Sequence, residues 1–140
     1  MTKTTIQSLS SSRFENVFPK GSFGDPTKFQ TYLMSLMNAK NLTGPEVWHN
    51  AFGPEGKAVW HNYYSGKVLP TKENVRRLVF GLHCSVEEAK HLLAICGYSF
   101  VPDDVTDEYL LDCLEGKEFN MVKVSAGLYQ LVNDSRKLIA

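Results

Sequence analysis

The chain lacks net charge: fifteen Lys and Arg residues balance fifteen Asp and Glu. A uniformly basic protein that coats nucleic acid is thereby excluded, although a local basic patch is not. A long apolar run is also missing. The most apolar uncharged stretch, Leu92–Val101, is far too short to cross a bilayer. Residues Met1–Phe14 are polar and rich in Ser and Thr, with no apolar segment of the kind a secretory leader needs, so none is expected. Cysteine is scarce: Cys84, Cys96 and Cys113 are odd in number and far apart. No C-x-x-C pair exists, so neither a disulfide framework nor a zinc knuckle is suggested. The three thiols are expected to act as small buried hydrophobes in a reducing, cytoplasmic setting.

Catalytic signatures are absent as well. There is no G-x-S-x-G, no glycine-rich phosphate loop and no H-E-x-x-H. Glu46 precedes His49 by three residues, but no Cys or further acid completes a ligand set, and His83 and His91 have no evident partners. Asp103, Asp104, Asp107, Glu108 and Asp112 form an acidic group. Most of them open a helix, where the dipole favours negative charge, so they read as a solvated cap. No enzyme, no metal and no cofactor is expected. No segment alternates between polar and apolar residues beside hairpin turns, so no substantial sheet is expected either.

What is present is an uneven charge pattern and a series of helix signals. Lys57–His91 holds six basic and three acidic residues, whereas Val101–Asn120 holds seven acidic and one basic. Such asymmetry can orient a molecule toward a polyanion. With 140 residues, 43% of them hydrophobic, the chain suits one compact domain, or a small domain with an extension.

Asp25-Pro26 opens a first helix with Phe29, Leu33, Leu36 and Met37 at helical spacing, ending near Lys40. Thr43-Gly44-Pro45-Glu46 is a capping box for a second, which Gly53-Pro54-Glu55-Gly56 breaks. A third runs from Lys57 to about Ser65. The fourth opens at Pro70-Thr71, with Val75, Leu78, Val79 and Leu82 on one face. Ser85–Glu88 caps the fifth, which buries Ala89, Leu92, Leu93 and Cys96. A sixth spans Asp103–Glu115 through Val105, Tyr109, Leu110 and Leu114. A seventh starts at Asn120 or Met121, with Val124, Leu128 and Leu131 inward. Phe29, Leu33, Leu36, Val47, Leu78, Leu82, Leu92 and Leu93 are expected to share one core. The tetrapeptide Val-Trp-His-Asn occurs at 47–50 and again at 59–62, a spacing too short for a solenoid. Both Trp48 and Trp60 are expected in the core between helices two and three.

The stretches NLTGPEVWHNAF and GKVLPTKENVRRLVFGLHCSVEEAKHLLAICGY resemble the Xre, or lambda-repressor-like, family. The resemblance rests on Leu42-Thr43, Gly66-Lys67-Val68-Leu69-Pro70, Leu82, Ser85 and Gly97-Tyr98, over Thr27 to Phe100. It implies an all-α fold: a five-helix helix-turn-helix domain over 25–101, a mobile arm over 1–24 and a two-helix C-terminal extension over 102–140. It further implies a sequence-specific regulator that binds double-stranded DNA, with helix 57–65 as recognition helix. Lys57, Ala58, His61 and Asn62 would then read bases. Thr43, Lys67, Lys72 and Arg76 would contact the DNA backbone. The acidic stretch would lie away from the DNA, and the C-terminal helices would join a homodimer. The chain departs from the family in having Trp48 where a small residue is usual, a longer turn holding Pro54 and Glu55, and a single Lys or Arg, Lys57, in helix three. The alternative expectation is a protein-interaction module on the same scaffold, using Trp48, Trp60, Tyr63 and Tyr64. No membrane association is expected.

Overall fold

A computed structural model describes residues 24–139, with side chains placed through residue 133. The arm expected over 1–24 lies outside the described residues, apart from Gly24, whose N–H donates to the Ile95 carbonyl at 3.1 Å. The described chain is all-helical: α1 (Pro26–Lys40), α2 (Gly44–Phe52), α3 (Lys57–Tyr64), α4 (Lys72–Gly81), α5 (Val86–Ile95), α6 (Val105–Glu115) and α7 (Met121–Ile139).

Local chemistry sets most of these boundaries. The Asp25 carboxylate accepts from the N–H groups of Thr27 and Lys28, and Pro26 stands where a missing N–H costs nothing. Thr43 with Glu46, and Ser85 with Glu88, both form complete capping boxes. Thr71 caps α4 and Asp104 caps α6. Asn120 caps α7, its Oδ1 accepting from Val122 and Lys123 at 3.0 and 3.2 Å. After α3 the chain reverses through Gly66, whose φ of +76° a side chain would resist.

The amphipathic faces then meet in one core. All eight residues expected there are buried in a single cluster, which continues into Leu110, Leu111, Leu114 and Val124. The two C-terminal helices therefore fold onto the domain. The α6 stripe is rotated from the expected one. Its inward positions are Asp107, Leu110, Leu111 and Leu114, while Val105 is exposed. A carboxylate begins the stripe, so apolar spacing alone does not find it. On α7, Leu131 is also exposed rather than inward. Tyr109 meets Gly127 across the α6–α7 pair, which puts Leu131 level with the first residue of α6, where the packing ends.

Helices α2 and α4 approach each other closely enough for backbone to meet backbone. A Cβ on Gly81 would stand 2.5 Å from the Val47 carbonyl oxygen and 3.1 Å from the Ala51 Cβ. The obstacle is backbone, so it has no room to yield. Gly81→Ala is expected to destabilise the fold by about 2 kcal/mol through overpacking, against the gain of about 1 kcal/mol that alanine brings a helix. Urea unfolding measures this; an unchanged or raised midpoint would show that α2 and α4 separate freely.

Candidate nucleic-acid interface

The second and third helices stand on either side of the turn at residues 53–56. Three neighbours fix α3 from behind. Gln30 of α1 donates to the Tyr64 carbonyl at 2.8 Å, closing the helix's C-terminal end. Asn74 of α4 donates to the Tyr63 hydroxyl at 2.7 Å. The Trp60 indole lies over Gly44 at the start of α2, where a Cβ would come within 3.2 Å of its nitrogen. Trp60 and Tyr63 are buried, and Trp60 stacks on Tyr64 with ring centres 5.4 Å apart.

The opposite face of α3 is open. Lys57, Ala58, His61 and Asn62 are all exposed, and together with Glu55 they line one shallow depression. Lys57 and His61 stand one turn apart, with Asn62 beside them. The sequence-expected reading residues thus share a single surface on a helix whose back is anchored. Lys67, in the following loop, is exposed as well.

The other expected backbone contacts are arranged differently. Lys72 Nζ and Arg76 Nη1 each reach a carboxylate oxygen of Asp107 at 2.8 Å. That side chain is fully buried, and the Val101 N–H donates to it too, at 2.8 Å. Asp107 is therefore not the solvated cap the sequence suggests. Lys72 and Arg76 are four residues apart, on one side of α4. Asn74, midway between them in sequence, points roughly the opposite way, toward α3. The two cations and the acidic α6 accordingly lie on the side of α4 turned from α3. Lys72 and Arg76 hold α6 rather than flank the α3 face.

Thr43 is also engaged. Its hydroxyl accepts from the Glu46 N–H and donates to the Glu46 carboxylate at 2.9 Å. Hydrogen bonds from the Thr43 backbone and hydroxyl hold the Glu46 carboxyl below its ordinary value, so a negative charge stands beside this hydroxyl.

The repeated tetrapeptide performs two different tasks. Val47 is buried, whereas Val59 is 38% exposed. Trp60 fills the core as expected, but Trp48 is only half-buried. Asn62 is exposed. Asn50, by contrast, is a clamp: its amide donates to the carbonyls of Phe80 and Phe119, and its oxygen accepts from the Met121 N–H. Sequence reading passed over Asn50; its identity with Asn62 in the repeat carried no hint of the difference.

Among the described residues, no group of three His, Cys, Asp or Glu side chains is placed to hold a metal. Burial raises the Cys84 and Cys96 thiols, the latter to about 12, so both are inert. No described helix is long and apolar enough to cross a membrane. Comparison with family models, curated proteins and solved structures gives no match.

Burial alone would raise the Asp107 carboxyl. The hydrogen bonds from Lys72, Arg76 and Val101 outweigh it and hold the group below its ordinary 3.8. Its stabilising contribution is therefore complete above that value and is lost as pH falls through the lower, folded one. Asp107→Asn is expected to cost about 3 kcal/mol at neutral pH, the scale of a broken buried pair. Denaturant unfolding across pH should show the gap to the parent narrowing below about pH 4. A gap that ignores pH would mean the carboxylate's charge does not hold α6.

Proposed function

We propose that the chain is a sequence-specific double-stranded DNA-binding regulator of the Xre, or lambda-repressor-like, kind. In this reading α1–α5 form its helix-turn-helix domain and α3 is the recognition helix. The observation that carries the reading is the α3 face itself. Lys57, Ala58, His61 and Asn62 are presented together, on a helix anchored from behind by Gln30, Asn74 and Trp60. A rigid helix with a free polar face is what a major groove admits. Asn62 supplies the donor and acceptor that pair with adenine, Lys57 a donor for guanine, and Ala58 a small apolar contact for a thymine methyl. Lys67 supplies a phosphate contact.

A second reading is favoured by a different observation. Thr43 is shared with Glu46, and Lys72 and Arg76 with Asp107, so few cations remain for phosphate. Val59 and Tyr64, 38% and 37% exposed, border the open face of α3 on its two sides and would suit a protein partner laid across the helix.

Duplex binding by fluorescence anisotropy separates the two. Asn62→Ala is expected to change which duplex is preferred, by roughly 1–3 kcal/mol for a lost base contact. Lys67→Ala is expected to weaken all duplexes alike and to flatten the salt dependence by about one unit of slope. If no duplex selected from a random pool binds, the DNA reading falls and the interaction module replaces it.

The regulator is proposed to act as a homodimer through its C-terminal helices. Val122 and Tyr129, 79% and 73% exposed, stand one heptad apart on the outer face of α7. The double change Val122→Asp, Tyr129→Asp is expected to halve the mass seen by sedimentation with little loss of stability, since both sites face solvent. A parent chain that already sediments as a monomer would overturn the dimer.

A further inference from the structure

Next to Asp107, helices α4, α6 and α7 line a half-open cavity of about 230 Å³. Its walls arrive at helical spacing. Leu110 of α6 and Met121 and Leu128 of α7 form the apolar part. The polar part is built from Arg76 and Arg77 on α4, with Thr106 and Ser125. Glu73, also in the lining, is largely exposed at the mouth.

The guanidinium groups are incompletely used. Arg76 gives one nitrogen to Asp107. Among the described residues, Arg77 makes a 3.4 Å bond to the Ala51 carbonyl and stands 3.7 Å from Glu73. Among the residues that line the cavity, Arg76 and Arg77 are positive and Glu73 negative, so the lining itself carries one net positive charge. An unbalanced cation beside an apolar wall, half-shielded from water, is a recognition element for an anion with a hydrophobic body.

We propose that this seam binds a small monoanion of the aromatic or short aliphatic carboxylate class. The carboxylate meets Arg77, with a hydroxyl from Ser125 or Thr106, and the body lies against Leu110, Met121 and Leu128. Size limits the ligand. The cavity has room for about eight water-sized groups and falls below the roughly 300 Å³ at which drug-sized sites begin. An adjoining depression shares Arg77, Met121 and Ser125 and runs to Gly53 and Pro54, so it gives the ligand a way in from the side of the α2–α3 turn. Because the ligand touches α4 and α7 together, its binding stabilises the docked form of the C-terminal helices by mass action. The proposal goes beyond DNA recognition and holds whether or not α3 meets a duplex.

The test uses the full chain with benzoate, phenylacetate and hexanoate as probes and benzamide as the neutral control. Calorimetric titration is expected to give a dissociation constant near or below about 1 mM for at least one carboxylate, and binding about tenfold weaker for benzamide. Arg77→Gln is expected to weaken the carboxylate by about tenfold or more. Leu128→Trp, which fills the cavity, should abolish binding, and Lys67→Ala should leave it unchanged. Methyl NMR of the unaltered chain places the ligand independently of any variant, through shifts at Leu110, Leu128 and Met121. The proposal is overturned if none of the three carboxylates binds, if benzamide binds as well as benzoate, or if the shifted methyl groups lie elsewhere.

Discussion

A carboxylate removed from water is among the least favourable groups a fold can contain, unless cations and N–H donors surround it. Asp107 is such a group, and the arrangement of this molecule follows from how it is satisfied. Lys72 and Arg76 must lie on the α6 side of α4, and the Val101 N–H must turn inward, which fixes the chain leaving α5. With the start of α6 fixed, Leu110, Leu111 and Leu114 fall onto the core, and α7 has a surface on which Val124 can be buried. The same pairing decides what is left for α3. Two of the basic residues nearest to it in sequence are committed to holding α6.

Much of the helical order is legible from residues alone because its causes are local. An Asp-Pro pair, two Ser/Thr-to-Glu boxes and a Gly-Pro-Glu-Gly break act within four residues of themselves, so α1, α2 and α5 begin where those signals stand. The Asp107 node is legible only in three dimensions. An acid in the first turn of a helix is favoured there even when solvated. What distinguishes Asp107 from the exposed Asp103 is a pair of cations 35 and 31 residues away. The same limit explains Val105 and Leu111. Apolar spacing counted from Val105 finds Leu110 and Leu114 but includes exposed Val105 and misses Leu111, since the inward row starts on a charged residue. It also explains Asn50 and Asn62, identical in local sequence and opposite in use.

The α3 helix combines strong mounting with sparse charge. Its anchors come from α1, α2 and α4, so its outer face is held by three separate elements. That rigidity serves a base-reading surface and a protein-docking surface equally, because preorganisation lowers the ordering cost of either. The electrostatics separate the two. A helix with Glu55 beside it in the turn and Lys57 and Lys67 as the exposed cations on and after it generates a weak field. Selectivity on such a surface rests on shape and directed hydrogen bonds more than on long-range attraction.

The Asn50 clamp has a consequence for how the chain assembles. Its bonds to Phe119 and Met121 close loops of 69 and 71 residues, half the length of the chain. The entropy of closing such a loop must be met before the contact returns anything. The partner that prepares the site is nearer: the Phe80 carbonyl, on the helix packed against α2, lies 30 residues away. Docking of α2 on α4 brings the Asn50 amide to the Phe80 carbonyl and so orients the groups that hold the α6–α7 connection. The position of the C-terminal pair is thereby registered, through Asn50, on the helix that leads into α3.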